Sequence, residues 1–154
     1  MNTVSDILDS KTKSENQIDP QMLVIDALRL LQTVNLSYLI VLDGNQYKGI
    51  FSERDYCRNV ILQGRSSSTT KVEEAMTSDL PVVAMGDAVE YCMNLMNQQK
   101  TRYLLAFDGP VFMGVITIHD LLRQVMFTKG TYYDSSLGRS TMDLIDSDES
   151  DRFY

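Results

Sequence analysis

The chain has 154 residues, 44% of them hydrophobic and 23% charged, with a formal net charge of -7, a make-up suited to one ordinary domain or two small units sharing a core. Clustered Lys and Arg are lacking, which argues against a nucleic-acid footprint. No apolar run is of bilayer length and none reads as a secretory leader, so membrane insertion and export are not expected.

In chain order, Val4–Leu8 has the apolar spacing of a short helix, with Thr3 placed to cap it. Gln17–Asp19 is expected to extend briefly before Pro20, whose missing N–H suits the first turn of a helix. Leu23, Ala27, Leu30, Leu31 and Val34 then recur at three and four, predicting an amphipathic helix over Met22–Val34. Tyr38–Leu42 and Tyr47–Phe51 are apolar runs of strand length on either side of Asp43-Gly44, the pattern of a β-hairpin. A helix is predicted from Ser52 to about Leu62, ended by Gly64 and followed by the polar run Arg65 to Thr70.

The same order then returns. Val72–Met76 is a short helix, Leu80–Ala84 a strand and Asp87–Gln98 a helix. Tyr103–Phe107 and Val111–Ile116 form a hairpin across Asp108-Gly109, and Thr117 to about Thr128 is the closing helix. From Thr131 onward six acids face two bases with few apolar residues between them, so residues 129–154 read as an acidic, flexible tail.

The recurrence is a duplication. At an offset of 65, Leu30 matches Leu95, Tyr38 Tyr103, Leu39 Leu104, Asp43 Asp108, Gly44 Gly109, Gly49 Gly114, Asp55 Asp120, Arg58 Arg123 and Val60 Val125. These nine identities compare with roughly two for unrelated sequence of average composition. The opening helices match at an offset of 68 instead. The expected organisation is a first unit over 3–62, a linker over 63–70, a second unit over 71–128 and the tail, in the α/β (α+β) class. A unit of this size alone buries too little surface, so the two are expected to share a core.

The sharpest repeated stretch is Gly49-Ile50-Phe51-Ser52-Glu53-Arg54-Asp55, which returns as Gly114-Val115-Ile116-Thr117-Ile118-His119-Asp120. Each copy ends a buried strand on a hydroxyl and opens a helix that carries a carboxylate. The N–H groups of a helix start favour an anion. An ionised carboxylate only accepts hydrogen bonds, which matches it to a vicinal diol. Ser-x-x-Asp is also the spacing of a capping box, and the two roles are compatible, because a cap fixes the hydroxyl where a ligand would meet it. Arg54, Arg65 and Arg102 are candidates to neutralise phosphate, Arg65 beside three serines above the others. Arg58 and Arg123, three residues past the motif aspartates, are expected to pair with them. Cys57 and Cys92 read as small buried hydrophobes, too isolated for a disulfide or metal site, and a cytoplasmic, reducing setting is expected. No metal-ligand cluster, Walker-type loop or nucleophile-base pair is found, and the lone His119 has no catalytic partner, so no enzymatic activity is expected.

Two copies of strand, helix, hairpin and helix, each with Gly-apolar-apolar-[Ser/Thr]-x-x-Asp at the last junction, resemble the tandem cystathionine-β-synthase (CBS) domain pair, or Bateman module. Ser52-Glu53-Arg54-Asp55-Tyr56 with Gly64-Arg65-Ser66-Ser67 is similar to the stand-alone bacterial, archaeal and plant CBS-pair proteins. The resemblance implies a pseudo-twofold module with up to two clefts between its units, taking AMP, ADP, ATP, S-adenosylmethionine or NAD(H) as a regulatory ligand. By position, it implies that Ser52 and Thr117 lie near ribose or phosphate and that Asp55 and Asp120 accept from the ribose hydroxyls. Tyr38 and Tyr103 stand where the family often has histidine, and can stack on a purine. It further implies a homodimer that signals to an unknown target protein. The rival reading is a ligand-free scaffold or dimerisation module acting through its surfaces and acidic tail.

Overall fold

The computed structural model describes residues 2–12, 16–34 and 37–128; the expected tail over 129–154 lies outside them. The elements are α1 (Val4–Ser10), β1 (Gln17–Ile18), α2 (Val24–Val34), β2 (Tyr38–Asp43), β3 (Gln46–Ser52), α3 (Glu53–Tyr56), α4 (Val72–Ala75), β4 (Val82–Ala84), α5 (Val89–Gln99), β5 (Tyr103–Asp108), β6 (Val111–Thr117) and α6 (Ile118–Thr128). Helix α3 does not continue as an α-helix to Leu62. Cys57–Ile61 widens into a π turn in which the Leu62 N–H donates to the Cys57 carbonyl at 3.0 Å. On that turn Val60 is buried and Asn59 donates its side-chain amide to the Ala75 carbonyl at 2.8 Å.

There are two three-stranded sheets, ordered β1-β2-β3 and β4-β5-β6. In each, the first pair is parallel and the second antiparallel. The hairpin loops are Gly44-Asn45 and Gly109-Pro110, with Asp43 opposite Gln46 and Asp108 opposite Val111. Gly44 and Gly109 take φ of 62° and 57°, which places the glycine where a two-residue hairpin loop needs a left-handed residue. Both hairpins carry a bulge just before the motif glycine: Val41 faces Gly49 while Leu42 faces Tyr47, and Ala106 faces Gly114 while Phe107 faces Phe112. The extra residues are Lys48 and Met113, and such a bulge sharpens the local twist and re-aims the strand end.

The described residues divide into two compact units, one within Lys13–Asp79 and the other joining the segment up to Thr12 with residues 80–128. The opening helix of each sequence repeat, expected over 3–62 and 71–128, lies with the sheet of the other repeat. The backbone shows why. The N–H groups at the start of α4 donate from Val72 to Met22 O at 2.8 Å and from Glu73 to Pro20 O at 3.1 Å, while Val24 N donates to Thr70 O at 2.9 Å. The same three bonds join α1 to the chain around Met85–Val89: Val4 to Asp87 O, Ser5 to Met85 O, and Val89 to Asn2 O, at 2.9, 2.9 and 3.2 Å. Unpaired helix N-terminal donors are thereby satisfied identically in both units.

The two cores also correspond position for position. One contains Ile18, Val24, Ala27, Leu31, Leu39, Val41 and Phe51 with Val72 and Ala75 of α4. The other has Val83, Val89, Cys92, Met96, Leu104, Ala106 and Ile116 with Val4 and Ile7 of α1. Among these pairs three are identical, Val24 with Val89, Leu39 with Leu104 and Val72 with Val4. Phe51 meets a small residue, Ala75, on the helix, whereas the smaller Ile116 is matched with Ile7. Total volume is held while individual side chains vary, which is what a close-packed core tolerates.

Candidate functional site

Each motif sits where the last strand of a sheet becomes a helix. Ser52 closes β3 with extended backbone and caps α3. The Ser52 N–H and hydroxyl both donate to Asp55 Oδ2, at 2.8 and 3.0 Å, and the Asp55 N–H returns a bond to Ser52 Oγ at 3.4 Å. The second copy has the same core: the Thr117 N–H donates to Asp120 Oδ2 at 2.8 Å, and the Asp120 N–H donates to Thr117 Oγ1 at 3.2 Å. The capping box is therefore present at both helix starts. The four residues are buried, Asp55 to 7% and Asp120 to 4% relative exposure.

The tyrosines join their motifs across the strand pair. Tyr38 lies opposite Ser52 and Tyr103 opposite Thr117. Arg102 is half-buried beside Tyr103, and its carbonyl accepts from Ile118 N, the first residue of α6, at 3.0 Å. Arg65 is placed otherwise: its guanidinium donates to the carbonyls of Asn59 and Glu74 at 3.4 and 3.1 Å, rather than to Ser52 or Asp55. Those carbonyls lie at or near helix ends, where a cation is favoured.

Two residues that the repeat pattern did not single out complete the site. In the first unit, the backbone after α4 bridges to β3: Thr77 N donates to Ile50 O at 2.9 Å and Ile50 N donates to Thr77 O at 2.8 Å. The Thr77 hydroxyl then donates to Asp55 Oδ1 at 2.5 Å. In the second unit a single ammonium does the work of both Thr77 donors. Lys11, just past α1, donates from Nζ to Val115 O at 2.8 Å and to Asp120 Oδ2 at 2.9 Å. Val115 is the repeat counterpart of Ile50. Arg123 adds a longer contact to Asp120 Oδ1 at 3.5 Å, the expected i,i+3 pair. Its counterpart Arg58 is exposed on the π turn and forms no ion pair with Asp55, whose outer oxygen is taken by Thr77.

The electrostatics follow the partners. Burial raises the Asp55 carboxyl above its ordinary value of 3.8, against the lowering effect of the bonds from Thr77 and Ser52 and the charge of Arg54. Burial also raises the Tyr47 phenol, with the negative charges of Asp55 and Asp79 acting in the same direction. His119 is buried at 6% exposure, and Cys57, expected in the core, is exposed. Among the described residues no group of three His, Cys, Asp or Glu side chains could hold a metal ion, and no helix is long and apolar enough to cross a membrane.

The family model for the CBS domain matches the chain over residues 4–61 and again over 72–126. The chain belongs to the CBS-domain family. A solved CBS-domain protein from Burkholderia ambifaria has the same fold, with 36% identity and a TM-score of 0.73 over 82% of this chain and 95% of that one. The mitochondrial CBS-domain-containing protein CBSX3 of Arabidopsis thaliana is 32% identical over 133 residues, 80% of this chain. This chain spans 65% of the length of that relative. Arabinose 5-phosphate isomerase KdsD of Yersinia pestis is 29% identical over 78% of this chain but only 36% of its own length, so the likeness is to its CBS region. CBS pairs are in general regulatory, ligand-binding modules that often oligomerise, and the stand-alone members are regulatory rather than catalytic.

Proposed function

We propose that this chain is a regulatory module that binds an adenosine nucleotide (AMP, ADP or ATP, with NAD(H) and S-adenosylmethionine as alternatives) and passes its occupancy to a target protein. One observation carries this reading: a buried carboxylate capped at a helix start by a hydroxyl residue that lies opposite a tyrosine across the strand pair, built twice. The carboxylate can accept a ribose diol, the helix N–H groups favour phosphate, and the tyrosine ring can stack on adenine. Ser52, Asp55 and Tyr38 form one such set; Thr117, Asp120, Tyr103 and Arg102 form the other. Output goes through association, as a homodimer and with a partner, and ligand biases it only by preferring one state. Two free thiols accord with a reducing compartment such as the cytoplasm.

The test is thermal unfolding of the whole chain with each of the five ligands, beside Asp55→Asn and Asp120→Asn. Ligand at 100 times its dissociation constant adds about 2.7 kcal/mol, a shift of roughly 5–10 °C. A shift with one ligand that is lost in one variant supports the sensor and assigns its site. The absence of any shift favours the second reading, a ligand-free scaffold. That reading draws on the internal donors, Thr77 on Asp55 and Lys11 on Asp120, which already engage both carboxylates.

A further inference from the structure

The two motifs are alike in geometry and opposite in charge. Around Asp120 stand Lys11 at 2.9 Å and Arg123 at 3.5 Å, with Arg102 at the first turn of α6. Two cations therefore contact one carboxylate. The counterpart of Arg123 is Arg58, which is exposed and makes no ion pair with Asp55, and at the counterparts of Arg102 and Lys11 the first motif has a neutral or acidic group. Arg102 corresponds to Ser37, and Ile118 at the helix start corresponds to the exposed Glu53. Lys11 corresponds, at the offset of 68, to Asp79, whose charge acts on Tyr47 together with that of Asp55. The contact that Lys11 makes to the carboxylate is made there by the neutral hydroxyl of Thr77. Arg54 and Arg58 are the cations of the first motif, and both are exposed.

We infer that Lys11 is a specificity-determining residue: it makes the Thr117–Asp120 motif the site for a phosphate-bearing nucleoside, while the Ser52–Asp55 motif takes the nucleoside with no preference for the phosphate. This rests on the proposed nucleotide-binding function and divides its labour. A carboxylate close to the ligand repels phosphate, and that repulsion stands at Asp55, where the matching partner is a hydroxyl. At Asp120 the ammonium of Lys11 cancels it and Arg123 turns the local sign positive, so an anion is drawn to the start of α6 rather than held off. Lys11 has a quarter of its side chain exposed and Asp120 almost none, so the cation is the member of the pair that faces an incoming ligand.

Calorimetric titration with adenosine and with AMP separates the two motifs. Asp55→Asn leaves the second motif to be read and Asp120→Asn leaves the first. The measured quantity is the ratio of AMP to adenosine affinity on one protein, in which differences of stability between variants cancel. The expected ratio is about ten or more in Asp55→Asn, the equivalent of one hydrogen bond to a charged group, and near one in Asp120→Asn. Adding Lys11→Met to Asp55→Asn brings the ratio down about ten-fold, whereas Lys11→Arg, which keeps the charge, preserves it. Equal ratios at the two motifs, or a ratio unmoved by Lys11→Met, overturn the assignment while leaving nucleotide binding intact. If neither adenosine nor AMP binds the wild type or any variant, the division of labour fails, and the unfolding shifts with ADP, ATP, NAD(H) and S-adenosylmethionine decide the nucleotide reading on their own.

Discussion

The glycine that opens each motif is required for a different reason in each copy, and Gly49→Ala tests the more demanding of the two. A Cβ built on Gly49 falls 2.8 Å from the Thr77 carbonyl oxygen and 2.8 Å from Met76 Sδ. Met76 can turn aside, but the Thr77 carbonyl cannot, because it accepts from Ile50 N while Thr77 N donates back to Ile50 O. Relief requires the bridge to open, at about 1 kcal/mol for a backbone hydrogen bond, on top of about 1–3 kcal/mol for inserting a methyl into a packed site. Stiffening of the unfolded chain by alanine returns about 0.4–1 kcal/mol. The net expectation is a loss of about 2–3 kcal/mol, roughly 5–10 °C in a chain of this size. Gly114→Ala meets only the flexible Leu8 side chain, at 3.0 Å, and a φ of 157°. Its cost is that of backbone strain, about 1–2 kcal/mol. Scanning calorimetry of both variants, with Gly49→Ala/Met76→Ala as a third, reads the difference. Trimming Met76 should recover only part of the Gly49→Ala loss. Full recovery would show that the side chain and not the Thr77 backbone sets the requirement, and the account of how Thr77 is delivered to Asp55 would fall.

Two further outcomes are expected. Because burial raises the Asp55 carboxyl, the folded protein holds this proton more tightly than the unfolded chain. The resulting stability is fully present below the unfolded value near 3.8 and is lost as the pH rises through the higher folded value. In Asp55→Asn the amide oxygen can still accept from Ser52 and the amide nitrogen can donate to Thr77 Oγ1, without the titration. Urea midpoints from pH 3.5 to 7 should therefore improve in the variant relative to wild type as the pH rises, and parallel profiles would refute the burial argument. As for the thiols, Cys57 is exposed, whereas Cys92 has no exposure and is pushed up to about 11 by burial, with the charge of Asp87 adding to it. Ellman's reagent at pH 8 should label one thiol in the native protein and the second only on unfolding; equal rates for the two would contradict the packing of α5.

What the sequence could reveal depended on how local the cause was. The helices, hairpins and both capping boxes follow from spacings within a few residues, so Thr3, Ser52, Gly44 and Gly109 announce themselves. The Arg123–Asp120 pair was legible for the same reason. The failure of Arg58 to repeat it was not, because it turns on the π geometry of Cys57–Ile61 and on Thr77 reaching Asp55 from 22 residues away. Cys57 lies outside the core it was expected to join, since one residue in a helical pattern does not fix which side of the helix meets the core. The association of α1 with β4–β6 had one available signal, the change of offset from 65 to 68 between the opening helices and the rest of the repeat. That change shows the opening helices to be attached independently of the strands that follow them.

This attachment explains how a duplicated motif can support unequal sites. The seven-residue stretch is constrained by its own chemistry: a glycine beside a bulge, a hydroxyl to cap, a carboxylate to close the box. Those constraints are the same in both copies, and the residues stay alike. The further donor that each carboxylate accepts comes instead from the segment after an opening helix, whose obligations are to bury Val4 and Ile7, or Val72 and Ala75, and to satisfy the strand edge at Val115 or Ile50. A backbone N–H and a threonine hydroxyl meet that last obligation in one unit, and one lysine ammonium meets it in the other. Neutral and cationic solutions are equivalent for the fold and opposite for a ligand. The differences that matter to ligand choice are therefore to be sought at residues such as Lys11 and Thr77, outside the motif by which the family is recognised.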